Sequence, residues 1–180
     1  YGIRPLVIGK LGNSYVLASE TCALDIIGAK FLRDVENGEI VLIENEKLTS
    51  TKPFPPRKVR PCVFEYIYFA RPDSIIDNKA AYEHRKNIGA ELAKENNINA
   101  DIVVPVPDSG NAAALGFAQY LKINYEHGLI RNHYVGRTFI EPSQKIRSLG
   151  VKLKLNANKT IIKDKKIILI DDSLVRGTTS

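Results

Sequence analysis

The last fourteen residues constrain this chain more than any other stretch: Ile167-Ile168-Leu169-Ile170-Asp171-Asp172-Ser173-Leu174-Val175-Arg176-Gly177-Thr178-Thr179-Ser180. Four consecutive apolar residues read as a strand buried on both faces, as in parallel sheets covered by helices. Such a strand delivers the residues after it to the carboxyl end of the sheet, where open α/β sheets bind their ligands. Here those residues are a pair of carboxylates, Asp171 and Asp172, and then Gly177, Thr178, Thr179 and Ser180, with open backbone N–H groups and three hydroxyls. Ahead of a helix N-terminus, the second part makes a phosphate cradle. The carboxylates can accept hydrogen bonds from sugar hydroxyls or face Mg2+. Together they suit a phosphorylated sugar. A Walker loop is excluded, because no G-x-x-x-x-G-K-[ST] run occurs. For Asp171 alone the plain alternative is a strand end with a capping carboxylate.

Charge points the same way. The chain carries +6 overall, yet between Arg131 and Lys166 ten Lys and Arg stand against Glu141 and Asp164, a local +8. That excess calls for an anionic partner, a phosphorylated ligand or nucleic acid, with a solvated basic face as the bland alternative. Hydrophobic residues at 44% and charged residues at 26% exclude a disordered chain. No run approaches the roughly 20 apolar residues of a membrane-spanning helix, and Tyr1-Gly2-Ile3-Arg4-Pro5 does not read as a signal peptide. The two cysteines, Cys22 and Cys62, are too few for a disulfide framework and suggest a reducing compartment, the cytoplasm. Because the chain opens on Tyr and stops in a Gly-Thr-Thr-Ser turn, a fragment cut at both ends is expected.

The pattern along the chain predicts strands at 6–8 and 15–18, a short helix over 22–33 weakened by Gly28, and a buried strand at 40–43. Residues 44–62, with Pro53, Pro55, Pro56 and Pro61, are the best candidate for a domain boundary. Beyond it come an aromatic run, Phe64, Tyr66, Tyr68 and Phe69, read as core, and an amphipathic helix over 79–96. A strand at 102–104, a turn at Pro105–Gly110 and an alanine-rich helix over 111–122 precede the basic stretch and the last strand. Strands alternating with helices imply βαβ units and a parallel sheet, an α/β fold. Asp108 and Ser109, just before the alanine-rich helix, read as ordinary helix caps. His84, His127 and His133 show no metal spacing.

The terminal run resembles the phosphoribosyl pyrophosphate (PRPP) motif of type I phosphoribosyltransferases. More narrowly, the chain resembles the glutamine PRPP amidotransferase family. The resemblance is carried by YGIRPLVIG at 1–9, ASETCALD at 18–25, CVFEYIYFARPDS at 62–74, VPVPDSG at 104–110, GLIRNHYVGRTFIEPSQKIR at 128–147 and the terminal motif. It implies the tail of an N-terminal-nucleophile α+β glutaminase domain over 1–50, a junction over 51–62, and over 63–180 a phosphoribosyltransferase domain truncated after the PRPP motif. It also implies the first step of de novo purine synthesis: PRPP and glutamine give 5-phosphoribosylamine, glutamate and pyrophosphate. The glutaminase nucleophile of the family is an N-terminal Cys, absent here because residue 1 is Tyr.

By the same resemblance Asp108, Ser109 and Gly110 face pyrophosphate, and Arg137, in a loop over 131–150, stabilises the leaving group. Asp171 and Asp172 hold the ribose and Mg2+, with Ser109 a further candidate Mg2+ contact, and Gly177, Thr178, Thr179 and Ser180 take the 5′-phosphate. Cys62 matches a ligand of the [4Fe-4S] cluster that some members carry. Implied partners are PRPP, glutamine or ammonia, and purine nucleotides as feedback inhibitors, in a homo-oligomer, with no membrane and no nucleic acid. Two other readings share the fold: a PRPP-sensing transcription regulator and a stand-alone nucleobase phosphoribosyltransferase. Against both stands the glutaminase-like sequence of residues 1–43.

Overall fold

The computed structural model describes residues 1–96, 98–134 and 153–174. The chain divides into two compact units, Tyr1–His84 and Arg85–Ser180.

In the first unit, β1 (Val7–Leu11) and β2 (Ser14–Ala18) form a hairpin, and β3 (Lys30–Asp34) pairs antiparallel with the other edge of β1. The short helix α1 (Thr21–Ile26) lays Leu24 against Val7 and Ala29, with Val16 and Ala18 around them. The helix expected through residue 33 ends at Ile26. Gly28 adopts φ +70°, donating to Asp25 O, while Ala29 donates to Leu24 O, a closed C-terminal motif that releases residues 30–34 to become a strand.

A second hairpin comes next, β4 (Ile40–Glu44) and β5 (Lys47–Thr51), turning through Asn45 and Glu46, both at positive φ. The buried strand expected at 40–43 is a strand but not a buried one. Ile40 and Leu42 are 49% and 57% exposed, because β4 pairs only with β5 and no sheet or helix covers it among the described residues. A partly exposed knot ties this hairpin to β3. The Glu39 carboxylate receives both terminal nitrogens of Arg33 at 2.9 and 2.6 Å, the Glu36 N–H at 2.6 Å and the Ser50 hydroxyl. These donors hold its carboxyl down at about pKa 2, Arg33 foremost.

Residues 52–62 form no regular element and are pinned where Arg60 N–H donates to Tyr1 O and Cys62 N–H to Ile3 O. The aromatic run expected in the core forms a π-helical turn over Glu65–Phe69 and leaves Phe64, Tyr68 and Phe69 exposed. Packing among these rings, Phe64 on Phe69 and Tyr68 on Phe69, replaces burial. A small hairpin, β6 (Ile75–Ile76) and β7 (Lys79–Ala80), leads into α2 (Ala81–Glu95).

The second unit is built on a parallel sheet. β8 (Ile102–Pro105) lies between β12 (Ile167–Ile170) and β9 (Asn124–Tyr125), parallel to both. All four residues of β8 are buried. Val103, Ile168 and Ile170 pack with Ala93 of α2 and with Ala114, Phe117 and Ala118 of α3 (Asn111–Leu121). The alanines and glycines of these helices have a specific use. A Cβ on Gly89 would collide with the Ala113 carbonyl, and one on Gly116 with the Lys86 carbonyl, so the two backbones cross in contact. At the amino end of the sheet, Asp101 N–H donates to Lys166 O at 2.8 Å and Lys166 N–H to the Asp101 carboxylate at 2.7 Å. A ribbon of β10 (Leu129–Arg131) and β11 (Leu155–Ala157), then α4 (Lys159–Ile162), complete the unit. The whole is a mixed α/β chain with a parallel sheet. Among the described residues no helix is long and apolar enough to cross a membrane.

Candidate functional site

Register builds the site. Ile170 pairs with Pro105, so the segments after β12 and β8 leave the sheet side by side at the same level. Val106 N–H continues the ladder by donating to Ile170 O at 2.8 Å. The chain then turns through Pro107, Asp108 and Ser109, with a cis Pro107–Asp108 peptide, and Gly110 N–H closes the turn on Val106 O at 2.9 Å. Gly110 is needed there: a Cβ would run into the Ile170 carbonyl and crowd Val106. The one residue without a side chain lets the turn sit against the end of β12.

The capping reading of Asp108 and Ser109 is not what the structure shows. Gly110 is the N-cap of α3, with no side-chain capping bond. The Asp108 carboxylate instead pairs with Nη1 of Arg131, at the end of β10. Two buried polar atoms nearby lack hydrogen-bond partners among the described residues, Arg131 Nε and Asn111 Oδ1.

Beyond β12, Asp172 N–H donates to Asp171 Oδ1 and the Ser173 hydroxyl to Asp172 Oδ2, both at 2.9 Å. The Asp171 carboxyl is pushed up to about pKa 6. Burial of the carboxyl leads, although the residue as a whole is exposed, and its bond and repulsion with the Asp172 carboxyl add to it. The Asp172 N–H and the charge of Lys154 pull back. Two carboxyls that resist a shared negative charge are suited to a cation in place of the proton. Among the described residues no three His, Cys, Asp or Glu side chains cluster as a metal site. What the chain offers is a two-carboxylate face of the kind Mg2+ uses when water and ligand phosphates complete its shell.

The cysteines do not fit a four-iron cluster by themselves. Such a cluster takes four thiolates, and the chain has two. Cys22 is buried, with its thiol pushed up by burial, and Cys62 is half-buried.

The structure thus sets the turn that carries Asp108, Ser109 and Gly110 against Ile170, the residue from which Asp171 and Asp172 follow. Arg137, Gly177, Thr178, Thr179 and Ser180 lie outside the described residues. Three residues that the structure links to these loops do not stand out in the sequence: Arg131, Lys154 and Asn111. The two cations are merely members of the basic stretch there, and nothing local distinguishes them from their neighbours.

Carboxylates and a tight turn stand at the carboxyl end of the parallel sheet, the end at which open α/β sheets as a class bind their ligands. No protein-family model matches the chain. It is 58% identical to the amidophosphoribosyltransferase of Rhizobium etli, over 99% of this chain and 37% of that protein. It is 50% identical to that of Bacillus subtilis, over 99% of this chain and 38% of the relative. A solved structure of glutamine PRPP amidotransferase from B. subtilis, complexed with ADP and GMP, superimposes with a TM-score of 0.89 at 50% identity. It is covered over 39% of its length, and this chain over 99%. A structure described as the allosteric regulatory enzyme of purine biosynthesis fits equally well, TM-score 0.89. The chain belongs with the amidophosphoribosyltransferases, and spans a little over a third of the length of the relatives it matches.

Proposed function

We propose that the protein acts as an amidophosphoribosyltransferase, converting PRPP, glutamine and water to 5-phosphoribosylamine, glutamate and pyrophosphate. Identity of 58% and 50%, running along almost all of this chain, to enzymes of that name supports this reading. The observation that carries it at the site is the in-register pairing of β8 with β12, which sets the Asp108 turn beside the Asp171–Asp172 pair. Nothing favours the sensor or nucleobase-transferase readings.

In this reading residues 1–50 are the tail of a glutaminase domain, 51–62 the junction and 63–180 the transferase domain. Asp171 and Asp172 hold the ribose hydroxyls, and Gly177 to Ser180 hold the 5′-phosphate. The Pro107–Gly110 turn and Arg137 receive the pyrophosphate as it leaves and positive charge grows on the ribose ring. Asp171 and Asp172, with Ser109 a candidate further contact, would hold Mg2+, which would supply charge neutralisation to the phosphates. Purine nucleotides act as regulators, in line with the ADP and GMP of the B. subtilis complex. The setting is a cytoplasmic homo-oligomer. A cluster at Cys62 would need thiolates from beyond these 180 residues.

In the complete enzyme, with its upstream glutaminase nucleophile, replacing both Asp171 and Asp172 with Asn removes the charges at nearly constant size. Synthesis from glutamine and from free ammonia should then both fall at least about a hundredfold, while glutamine hydrolysis without PRPP persists. Ammonia-dependent synthesis within a few-fold of wild type would make the two carboxylates structural.

A further inference from the structure

We propose that Arg131 is an oxyanion contact of this site and that Asp108 is the residue that positions it. The proposal rests on the reading of the site as one for PRPP, with the turn after β8 at the pyrophosphate end.

Arg131 starts from fixed backbone. It closes β10 opposite Leu155 of β11, and the next residue, Asn132, donates its N–H to Lys154 O at 2.7 Å. From there Nη1 reaches the Asp108 carboxylate, 23 residues away in sequence. The pair is not built for stability. The side chains are 31% and 52% exposed, and ion pairs so wet contribute little. What it does is fix the guanidinium beside the end of β8.

The donors left over point to a ligand. A guanidinium has five N–H donors in a planar fork, and Asp108 takes one bond. Nε is buried without a partner among the described residues, a costly state for a charged donor. An oxyanion engaging that nitrogen would complete the set, and planar two-point recognition of phosphate is what arginine does best. Asp108 is ill suited to touch the same anion, since two negative groups would repel. Its place is behind the arginine.

Calorimetric titration of the full protein with inorganic pyrophosphate, PRPP and ribose 5-phosphate tests this. Arg131→Gln should weaken pyrophosphate and PRPP by about tenfold or more and leave ribose 5-phosphate within about twofold. Arg131→Lys, keeping charge but not the fork, should fall between. Asp108→Asn should weaken pyrophosphate less than Arg131→Gln, and adding it to Arg131→Gln should cost nothing further, because it acts through that side chain. Ribose 5-phosphate binding doubles as the check on folding, and if Arg131→Gln loses it, Arg131→Lys decides. Pyrophosphate affinity unchanged in the Arg131 variants overturns the proposal and leaves the PRPP reading standing. Additive losses in the double variant remove the positioning role from Asp108. A wild-type protein that binds neither PRPP nor ribose 5-phosphate sinks the functional reading, and this proposal with it.

Discussion

Asp171 shows how one carboxyl can be poised for a ligand at a cost to the fold. Folding raises its pKa from the ordinary 3.8 to about 6, so the folded state favours the protonated form. The resulting stabilisation is full below about pH 4 and is lost as pH rises through 6. At neutral pH the ionised side chain burdens the fold. Asp171→Asn should therefore melt higher than wild type at pH 7.5 and equal to it at pH 4. After allowance for solvent screening the gain is under about 1 kcal/mol. Mg2+ should raise the wild-type melting temperature more than that of the variant. A variant that is no more stable at pH 7.5, or that responds equally to Mg2+, would remove Asp171 from the cation face.

Among the elements, those legible in the sequence carry their cause locally. Ile167–Ile170 is a strand because a short apolar run of three isoleucines and a leucine ends at a pair of carboxylates, and Asn111–Leu121 a helix because alanine is the strongest helix former. The parallel pairing of β8 and β12 is foreshadowed by the alternation of strand and helix. Elements decided by distant partners are not legible in this way. The run at 22–33 has a helical spacing of apolar residues, but Gly28 at φ +70° and the free edge of β1 turn its second half into strand. The aromatic run at 64–69 is apolar enough for a core, yet nothing local reveals that it packs largely on itself. At the site, the acidic pair and the turn are legible as motifs, while Arg131 becomes visible only when β10 brings it to Asp108. The glycines of α2 and α3 are likewise legible as weak helix formers and illegible as a crossing. Gly116→Ala should separate the helices, because its Cβ meets the Lys86 backbone rather than a side chain that could swing aside. A loss of about 1–3 kcal/mol in denaturant unfolding is expected. An unchanged midpoint would mean the helices pack with more slack than the structure shows.

At the scale of the whole chain, the two units answer acid with opposite signs. Glu39 is held at about pKa 2, below its ordinary 4.5, so its contribution to the first unit is present above pH 4.5 and lost as pH falls towards 2. In the second unit, protonating Asp171 relieves the fold as pH falls through 6. Hydrogen exchange, corrected for intrinsic rates, should show β8 and β12 gaining protection between pH 7 and 5. Between pH 4.5 and 2.5, β3 and β5 should lose theirs, and Glu39→Gln should flatten that second response. Protection changing in parallel in both units would contradict it. The clamp between Asp101 and Lys166 has a consequence in time rather than space. Its partners are 65 residues apart. A ribosome adding about 5–20 residues per second needs roughly 3–13 s to make the intervening chain. Throughout that interval β8, apolar along its whole length, waits with one edge bare, the condition under which nascent chains meet chaperones or one another.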